Sequence, residues 1–157
     1  MDAQTEFRQA IAGLTREIAG RPLDADLMAD LNREHGAGSA VYERLAALCR
    51  QGVREGWLAE REAGGIKYGR CIKPGPETHG FSVDVVEMDD VKGPHHRHPN
   101  GEIDLILPQD TGAAFDGHGA GWLVYGPDTA HHPTVSQGKA IVLYLLPDGA
   151  IEFTRPG

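Results

Sequence analysis

The stretch Gly93-Pro94-His95-His96-Arg97-His98-Pro99-Asn100-Gly101-Glu102 holds three of the eight histidines of this 157-residue chain. Alternate residues of an extended segment point the same way, so His96 and His98 are expected on one side and Arg97 on the other. Pro99-Asn100-Gly101 has the composition of a turn that would bring Glu102 back to the same point. The stretch therefore predicts β-structure presenting two imidazoles and a carboxylate to one site.

A second histidine cluster follows about thirty residues later, in Pro127-Asp128-Thr129-Ala130-His131-His132-Pro133. Such a segment can supply a fourth ligand from a separate strand. Imidazole and carboxylate groups together suit Zn, Fe, Mn, Co, Ni or Cu, and they do not choose between these ions. The two clusters predict a site for a divalent metal ion. An alternative is that Glu102 acts as a general base while the histidines donate hydrogen bonds.

The sequence around these clusters has the period of β-structure. Phe81, Val83 and Val85 alternate with polar residues, as in a half-buried strand, and Gly64-Gly65 indicates a hairpin between Trp57-Leu58-Ala59 and Ile66-Lys67-Tyr68. Gly and Pro clusters separate the further strand candidates, which are Glu102–Leu107, Gly121–Tyr125, Ala140–Leu146 and Ile151–Thr154. Many short strands with such turns favour a barrel or sandwich over alternating strands and helices.

The N-terminal third has the period of helices instead. Phe7, Ile11, Leu14 and Ile18 form one apolar stripe, and Asp24 and Ser39 are placed to cap two further helices, the last ending near Gly56. We therefore divide the chain into a helical extension, 1–56, and a β-barrel, 57–157, in an α+β fold that is mainly β. The helices are expected to cover one end of the barrel or to form a subunit contact.

Charge and composition exclude several classes of function. Three helices before a hairpin can also form a winged helix, but residues 1–62 hold eight Arg and no Lys against eleven Asp plus Glu. The whole chain has a formal net charge of −8, which argues against nucleic-acid and anionic-membrane partners. No apolar run approaches the roughly 20 residues of a membrane span. The N-terminus has no signal-peptide pattern, and the two cysteines form no CxxC pair, so a cytoplasmic protein is expected.

The two histidine segments resemble the motifs of the cupin family. His96-x-His98-x-x-x-Glu102 is similar to the first cupin motif, and Pro127-x-Thr129-x-x-His132 is similar to the second, with Thr129 where glycine is usual. The resemblance implies a jelly-roll β-barrel and names the metal ligands as His96, His98, Glu102 and His132. Strand alternation should then turn the neighbouring histidines, His95 and His131, away from the ion.

A narrower resemblance covers most of the chain. The stretches His79–Val86, Gly93–Ile106 and Leu143–Phe153 resemble the bacterial 4-hydroxylaminobenzoate lyase family. This resemblance implies conversion of 4-hydroxylaminobenzoate to 3,4-dihydroxybenzoate with release of ammonia, in nitrobenzoate breakdown. The reaction involves no net oxidation, and the chain has no Gly-rich fingerprint for a nucleotide cofactor. Two other functions stay open: a metal-dependent oxygenase acting on a small aromatic acid, and a non-enzymatic cupin that binds small molecules.

The implied substrate, a small aromatic carboxylate, assigns roles to further residues. Glu102 or His132 is expected to move protons. The substrate carboxylate requires a cation, for which Arg70 is the first candidate, before Lys73 and Arg97. Of three strand aromatics that could stack on the substrate ring, Trp122, Tyr125 and Tyr144, Tyr125 is the expected contact. A homodimer is also expected, with the helical arm as its contact.

Overall fold

A computed structural model describes residues 1–155 as three helices followed by ten strands. The helices are α1 (Ala3–Ile18), α2 (Ala25–His35) and α3 (Ala40–Glu55). The strands are β1 (Arg61–Ala63), β2 (Ile66–Ile72), β3 (Phe81–Lys92), β4 (His96–His98), β5 (Glu102–Pro108), β6 (Ala114–Phe115), β7 (Gly121–Tyr125), β8 (Thr129–His131), β9 (Thr134–Pro147) and β10 (Glu152–Phe153).

The strands form two antiparallel sheets. The larger sheet has the order β1-β2-β3-β9-β5-β7, with β6 pairing to β9, and the smaller has the order β10-β4-β8. From β3 to β5, and again from β7 to β10, consecutive strands thus alternate between the two sheets, as in a jelly roll. Both sheets contribute to one pocket. The predicted fold class, mainly β with an N-terminal helical extension in a cupin-type barrel, is confirmed.

The strand predictions from sequence are close to the observed bounds. β7 begins and ends where expected, and β9 starts six residues earlier, at Thr134. The hairpin turns at Gly64-Gly65, but its first strand begins at Arg61 instead of Trp57. Trp57 and Leu58 instead close the C-terminal end of α3, because their backbone N–H groups donate to Gly52 O. The apolar residues there belong to the core between the helices and the sheet.

Each of the three helices begins at a side-chain cap. The carboxylates of Asp2 and Asp24 and the hydroxyl of Ser39 accept hydrogen bonds from backbone N–H groups of the first turn. The apolar stripe of α1 is buried together with apolar residues of α2 and α3. Among the residues 1–155, no helix combines the length and apolar character that a membrane span requires.

The helices cover the outer face of the larger sheet. Val83 and Val85 of β3, with the residues of equal parity on β5 and β9, pack against the helical stripes in one continuous core. Side chains of the opposite parity face the interior, between the two sheets. The helices thus share a core with the barrel, and the predicted domain boundary at residue 56 stays a prediction.

Candidate metal centre and pocket

Four buried or nearly buried side chains converge between the two sheets: His96 and His98 of β4, Glu102 of β5 and His131 of β8. One ligand atom of each lies within 4.8 Å of all the others. His96 Nε2 is 3.1 Å from His131 Nε2 and 3.7 Å from Glu102 Oε1, and His98 Nε2 is 3.2 Å from Glu102 Oε2. Ligands about 2.1 Å from one shared ion have separations of this size.

The expected turn delivers Glu102 to this cluster. Gly101, with a φ of 86°, occupies the left-handed region, and a Cβ there would come within 2.6 Å of Tyr125 O. Only glycine therefore fits this position without strain. The sequence reasoning on His96, His98 and Glu102 thus placed three groups that the structure brings together.

The fourth member is His131, and the structure contradicts the expectation that His132 joins the cluster. In the smaller sheet His131 lies directly opposite His96, and directly opposed residues of an antiparallel pair share a face. His132 follows the end of β8, and its Nδ1 lies 3.2 Å from Gly93 O. Its ring packs edge-on against His95, which also lies outside the cluster.

The reason for this shift by one residue is visible in the backbone. The second cupin motif was aligned with Thr129 at the glycine position, but the residue with left-handed backbone is Asp128, at a φ of 67°. Aspartate tolerates this conformation better than most residues. When the glycine position is assigned to Asp128, the histidine three residues later is His131.

The hydrogen bonds around the cluster direct lone pairs of His98 and His131 towards its centre. Thr129 Oγ1 donates to Gly126 O, so it accepts from His98 Nδ1 at 2.9 Å. His98 then carries its proton on Nδ1, and Nε2 presents a lone pair. His131 Nδ1 lies 2.5 Å from Asp116 Oδ2, which assigns the same tautomer to His131. In metalloproteins, hydrogen bonds of this kind to the second ring nitrogen orient the imidazoles that bind the metal.

Asp116, which the sequence analysis did not identify, accepts three hydrogen bonds. Its Oδ2 accepts from His131 and from the Tyr125 hydroxyl at 2.5 Å, and its Oδ1 accepts from Thr134 N at 2.9 Å. Burial opposes ionisation, but these donors outweigh it and hold the pKa of Asp116 below its usual value. The carboxylate is therefore charged and fixes the ring of His131.

The residues present fit a metal ion. His98 Nε2 and both oxygens of Glu102 are fully buried and have no hydrogen-bond partner among residues 1–155. Buried polar atoms without partners are costly, and here they point at one another across a space the size of an ion. A set of three imidazoles and one carboxylate is a donor set for a divalent transition metal or zinc.

Two buried carboxyl groups lie side by side on β5, with opposite titration. Burial would raise the pKa of Glu102, but the imidazoles of His96 and His98 outweigh burial and lower it. Burial and the charge on Glu102 raise the pKa of Asp104 well above its usual value. Glu102 therefore ionises more readily than Asp104.

A pocket of about 780 Å³ opens beside the cluster, and His96 is the cluster residue that lines it. One wall is the inner face of β2, β3 and β9, including Tyr68, Val86 and Tyr144. The opposite side includes Pro94, Pro133 and Phe153. Three cations, Arg61, Arg70 and Lys73, also line it. The pocket is thus an apolar slot with cations on its wall and the histidine cluster at one side.

The candidate substrate contacts have different positions. Arg70 lines the pocket, held by hydrogen bonds to Asp84 at 2.9 and 3.2 Å and to Gly149 O. Arg97 does not line it, because its guanidinium pairs with Asp128 and Glu152. Tyr125 also lies outside the lining and packs its ring 4.7 Å from that of His131. The buried aromatic residue of the wall is Tyr144, whose pKa is raised by burial and by Glu102.

The residues that the prediction missed differ in how far the sequence could have indicated them. The left-handed preference of Asp128 was a usable signal for His131. No signal pointed to Asp116, which lies in the loop after β6 and reaches the cluster only through the fold. Thr129 departs from the motif, and its hydroxyl orients His98.

Fold and site together define a cupin-type protein with a three-histidine, one-glutamate cluster beside a largely apolar pocket of about 780 Å³. The family model described as 4-hydroxylaminobenzoate lyase matches residues 9–153, and the chain belongs to this family. A 4-hydroxylaminobenzoate lyase of Nocardioides sp. is 38% identical over 98% of this chain and 96% of its own length. A 4-hydroxylaminobenzoate lyase of Pseudomonas putida is 32% identical over 87% of this chain and 88% of its own length. Among solved structures, an RmlC-like cupin from Ralstonia eutropha superposes with a TM-score of 0.44 at 13% identity, over 59% of this chain and 62% of that one.

Proposed function

We propose that this protein is a lyase that converts 4-hydroxylaminobenzoate to 3,4-dihydroxybenzoate and ammonia. The observation that carries the proposal is a pocket joining a buried metal-type cluster to a cationic wall, in a chain of this family. The substrate plus one water equals the products, so the reaction needs no electron acceptor or donor. Loss of the N–OH oxygen, addition of water at the neighbouring ring carbon and hydrolysis of the resulting imine account for every atom.

The proposed metal site consists of His96, His98, Glu102 and His131. A bound ion would supply a Lewis acid that polarises an oxygen and lowers the pKa of water. Asp116 and Thr129 orient the imidazoles, so the cluster is preorganised before any ligand arrives. The donor set suits Zn, Fe, Mn, Co, Ni or Cu, and metal analysis of the purified protein would identify the ion.

The proton-transfer role stays with Glu102 and is withdrawn from His132. Glu102 is charged and lies against two imidazoles, whereas His132 lies outside the cluster. Asp104 lies two residues along on the same strand face, and burial and the charge on Glu102 raise its pKa. A proton shared by the pair would therefore reside on Asp104, and the two neighbouring carboxyl groups can pass it between them.

We propose Arg70 as the group that receives the substrate carboxylate. The guanidinium is fixed in the pocket wall by Asp84, and Lys73 lies close behind it in sequence and also lines the pocket. Because Asp84 already pairs with Arg70, Lys73 adds the positive charge that a second carboxylate needs. The proposed contact of Tyr125 with the ring has less support, because Tyr125 contacts the histidines from outside the pocket.

The test is anaerobic incubation of the purified protein with 4-hydroxylaminobenzoate, with both products and the metal content measured on the same sample. We expect equal yields of 3,4-dihydroxybenzoate and ammonia without oxygen. Product formation only in the presence of oxygen would favour an oxygenase, and tight binding without turnover would favour a binding protein. A cytoplasmic location, a homodimer and a place in nitrobenzoate breakdown stay predictions.

Phenylhydroxylamine, which lacks the carboxylate, tests the docking of the substrate on the same enzyme. We expect the wild-type protein to prefer the carboxylated substrate, and Arg70→Gln to lose most of this preference while retaining activity towards phenylhydroxylamine. An unchanged preference in Arg70→Gln would move the carboxylate site to Lys73.

A further inference from the structure

Tyr144 lies in a polar row that crosses the inner face of the larger sheet. In the register of β3, β9 and β5, Asp84 and Asp104 lie directly opposite Tyr144 on its two sides. Directly opposed residues of antiparallel strands share a face, so all three side chains belong to the interior. Tyr144 lines the pocket, and Asp104 is two residues from Glu102 of the cluster. The tyrosine is thus placed between the cluster and the Arg70–Asp84 pair.

The four tyrosines of the chain differ in what their hydroxyls contact. Tyr42 donates to Ile106 O at 2.7 Å, and Tyr125 donates to Asp116 at 2.5 Å. Tyr68 is 38% exposed, so water reaches it. Tyr144 is only 6% exposed, and its hydroxyl makes no hydrogen bond to any residue in the range 1–155. Because this hydroxyl has no protein partner and is not one of the fully buried unpaired atoms, it opens into the pocket and is available to a molecule bound there.

The position of Tyr144 in the row decides which end of the substrate it meets. Arg70, proposed for the substrate carboxylate, lies opposite Asp84 and two strands from Tyr144, and neighbouring strands are about 4.8 Å apart. A substrate whose carboxylate meets Arg70 therefore extends its other end, the hydroxylamino group, towards Tyr144. This end must also approach the cluster, where the N–O bond is to break.

We propose that Tyr144 is a catalytic residue whose hydroxyl donates a hydrogen bond to the oxygen of the substrate's hydroxylamino group. This inference rests on the proposed function. When the N–O bond breaks, its electron pair goes to oxygen, which takes up a proton and leaves as water. A donor fixed at that oxygen stabilises the growing negative charge more than it stabilises the bound substrate.

The first test compares Tyr144→Phe with Tyr42→Phe, the same change at a buried tyrosine of α3, the helix that packs on the outer face of the sheet. We expect Tyr144→Phe to lower kcat about a hundredfold with a much smaller change in KM, and with unaltered melting temperature and metal content. Tyr42→Phe should keep wild-type kcat but melt about 2–4 °C lower, because it loses a buried hydrogen bond. Wild-type kcat in Tyr144→Phe would overturn the proposal.

The second test does not depend on turnover. The probes are 4-(hydroxymethyl)benzoate, which replaces the hydroxylamino N–H by CH2, and 4-methylbenzoate, which lacks only the oxygen. We expect the wild-type protein to bind the first about fivefold to tenfold more tightly, and Tyr144→Phe to bind both equally. The same preference in both proteins would refute the role of Tyr144. If the preference behaves as expected but 4-hydroxylaminobenzoate is not converted, the donor role stands and the proposed activity fails.

Discussion

Buried polar groups on the two faces of the larger sheet differ in whether they have hydrogen-bond partners. On the helix-covered outer face, the buried hydroxyls of Thr15 and Tyr42 donate to backbone carbonyls. On the inner face and the opposing sheet lie all the buried side-chain atoms without a partner among residues 1–155. They belong to Ser82, His98, Glu102 and Asp104.

This difference separates what stabilises the protein from what acts on a ligand. The outer face gains free energy from apolar contacts and satisfied hydrogen bonds. The inner face carries unpaired buried groups that each cost free energy, which a bound ion and substrate would recover. Changes on the inner face should therefore alter binding and activity, and changes on the outer face should alter stability.

The largest effect on metal binding is expected at His131, whose neighbour in the chain, His132, lies outside the cluster. His131→Ala should lose bound metal and activity, because it removes a member of the cluster. Changes to groups that merely orient a ligand weaken metal binding about 10–100-fold, so loss of the ligand itself should exceed about 100-fold. Competition with a chelator measures the affinity, and circular dichroism checks the fold.

His132→Ala is the matched control, with an identical change one residue further. We expect it to retain metal and most of its activity, since His132 contacts Gly93 and His95 instead of the cluster. The reverse result, with metal lost in His132→Ala and kept in His131→Ala, would restore the motif alignment with Thr129 and contradict the observed register of β8.

The outer face should respond to a cavity with a loss of stability alone. Leu45 of α3 is fully buried in the core between helices and sheet. Leu45→Ala should lower the free energy of unfolding by about 2–5 kcal/mol, while folded molecules keep wild-type kcat and metal content. Arg44→Ala, an exposed neighbour on the same helix, should change stability by less than about 0.5 kcal/mol. Urea denaturation measures both, and a drop in kcat of folded Leu45→Ala would break the separation of the faces.

The fold could be predicted largely from sequence because its signals are local. Asp24, Ser39 and the apolar stripe of α1 specify helices within a few residues, and period-two alternation specifies β3. Gly64-Gly65 fixed the hairpin turn, but not its first strand. Trp57 and Leu58 are apolar enough for a strand. In the structure they instead follow the end of α3 and pack into the core beside α1 and α3.

The site was predictable only as far as one segment determines it. His96, His98 and Glu102 are positioned by a short strand and a glycine turn, which the sequence shows directly. The fourth ligand depends on register, where a shift of one residue turns a side chain to the other face. Asp116 and Tyr144 come from other parts of the chain, and only the pairing of β9 with its neighbours brings them near the cluster.

The smallest effect on the inner face is expected from Asp116→Asn. Asparagine tolerates the left-handed backbone of this residue, with its φ of 48°, so the backbone should not change. The amide has one acceptor oxygen, whereas the carboxylate accepts hydrogen bonds from His131 and Tyr125 on one oxygen and Thr134 N on the other. The NH2 group of the asparagine would therefore face at least one of these donors without being able to accept its hydrogen bond. We expect metal affinity to fall about 10–100-fold, as measured by chelator competition.

Asp110→Asn supplies the control for this change, since Asp110 also accepts a hydrogen bond from a backbone N–H, that of Lys139, but lies outside the cluster. It should leave metal affinity unaltered. If both variants bind metal equally well, the charge on Asp116 does not orient His131. The inner face would then need only its four ligands, and the polar atoms behind them would serve the fold in the same way as those of the outer face.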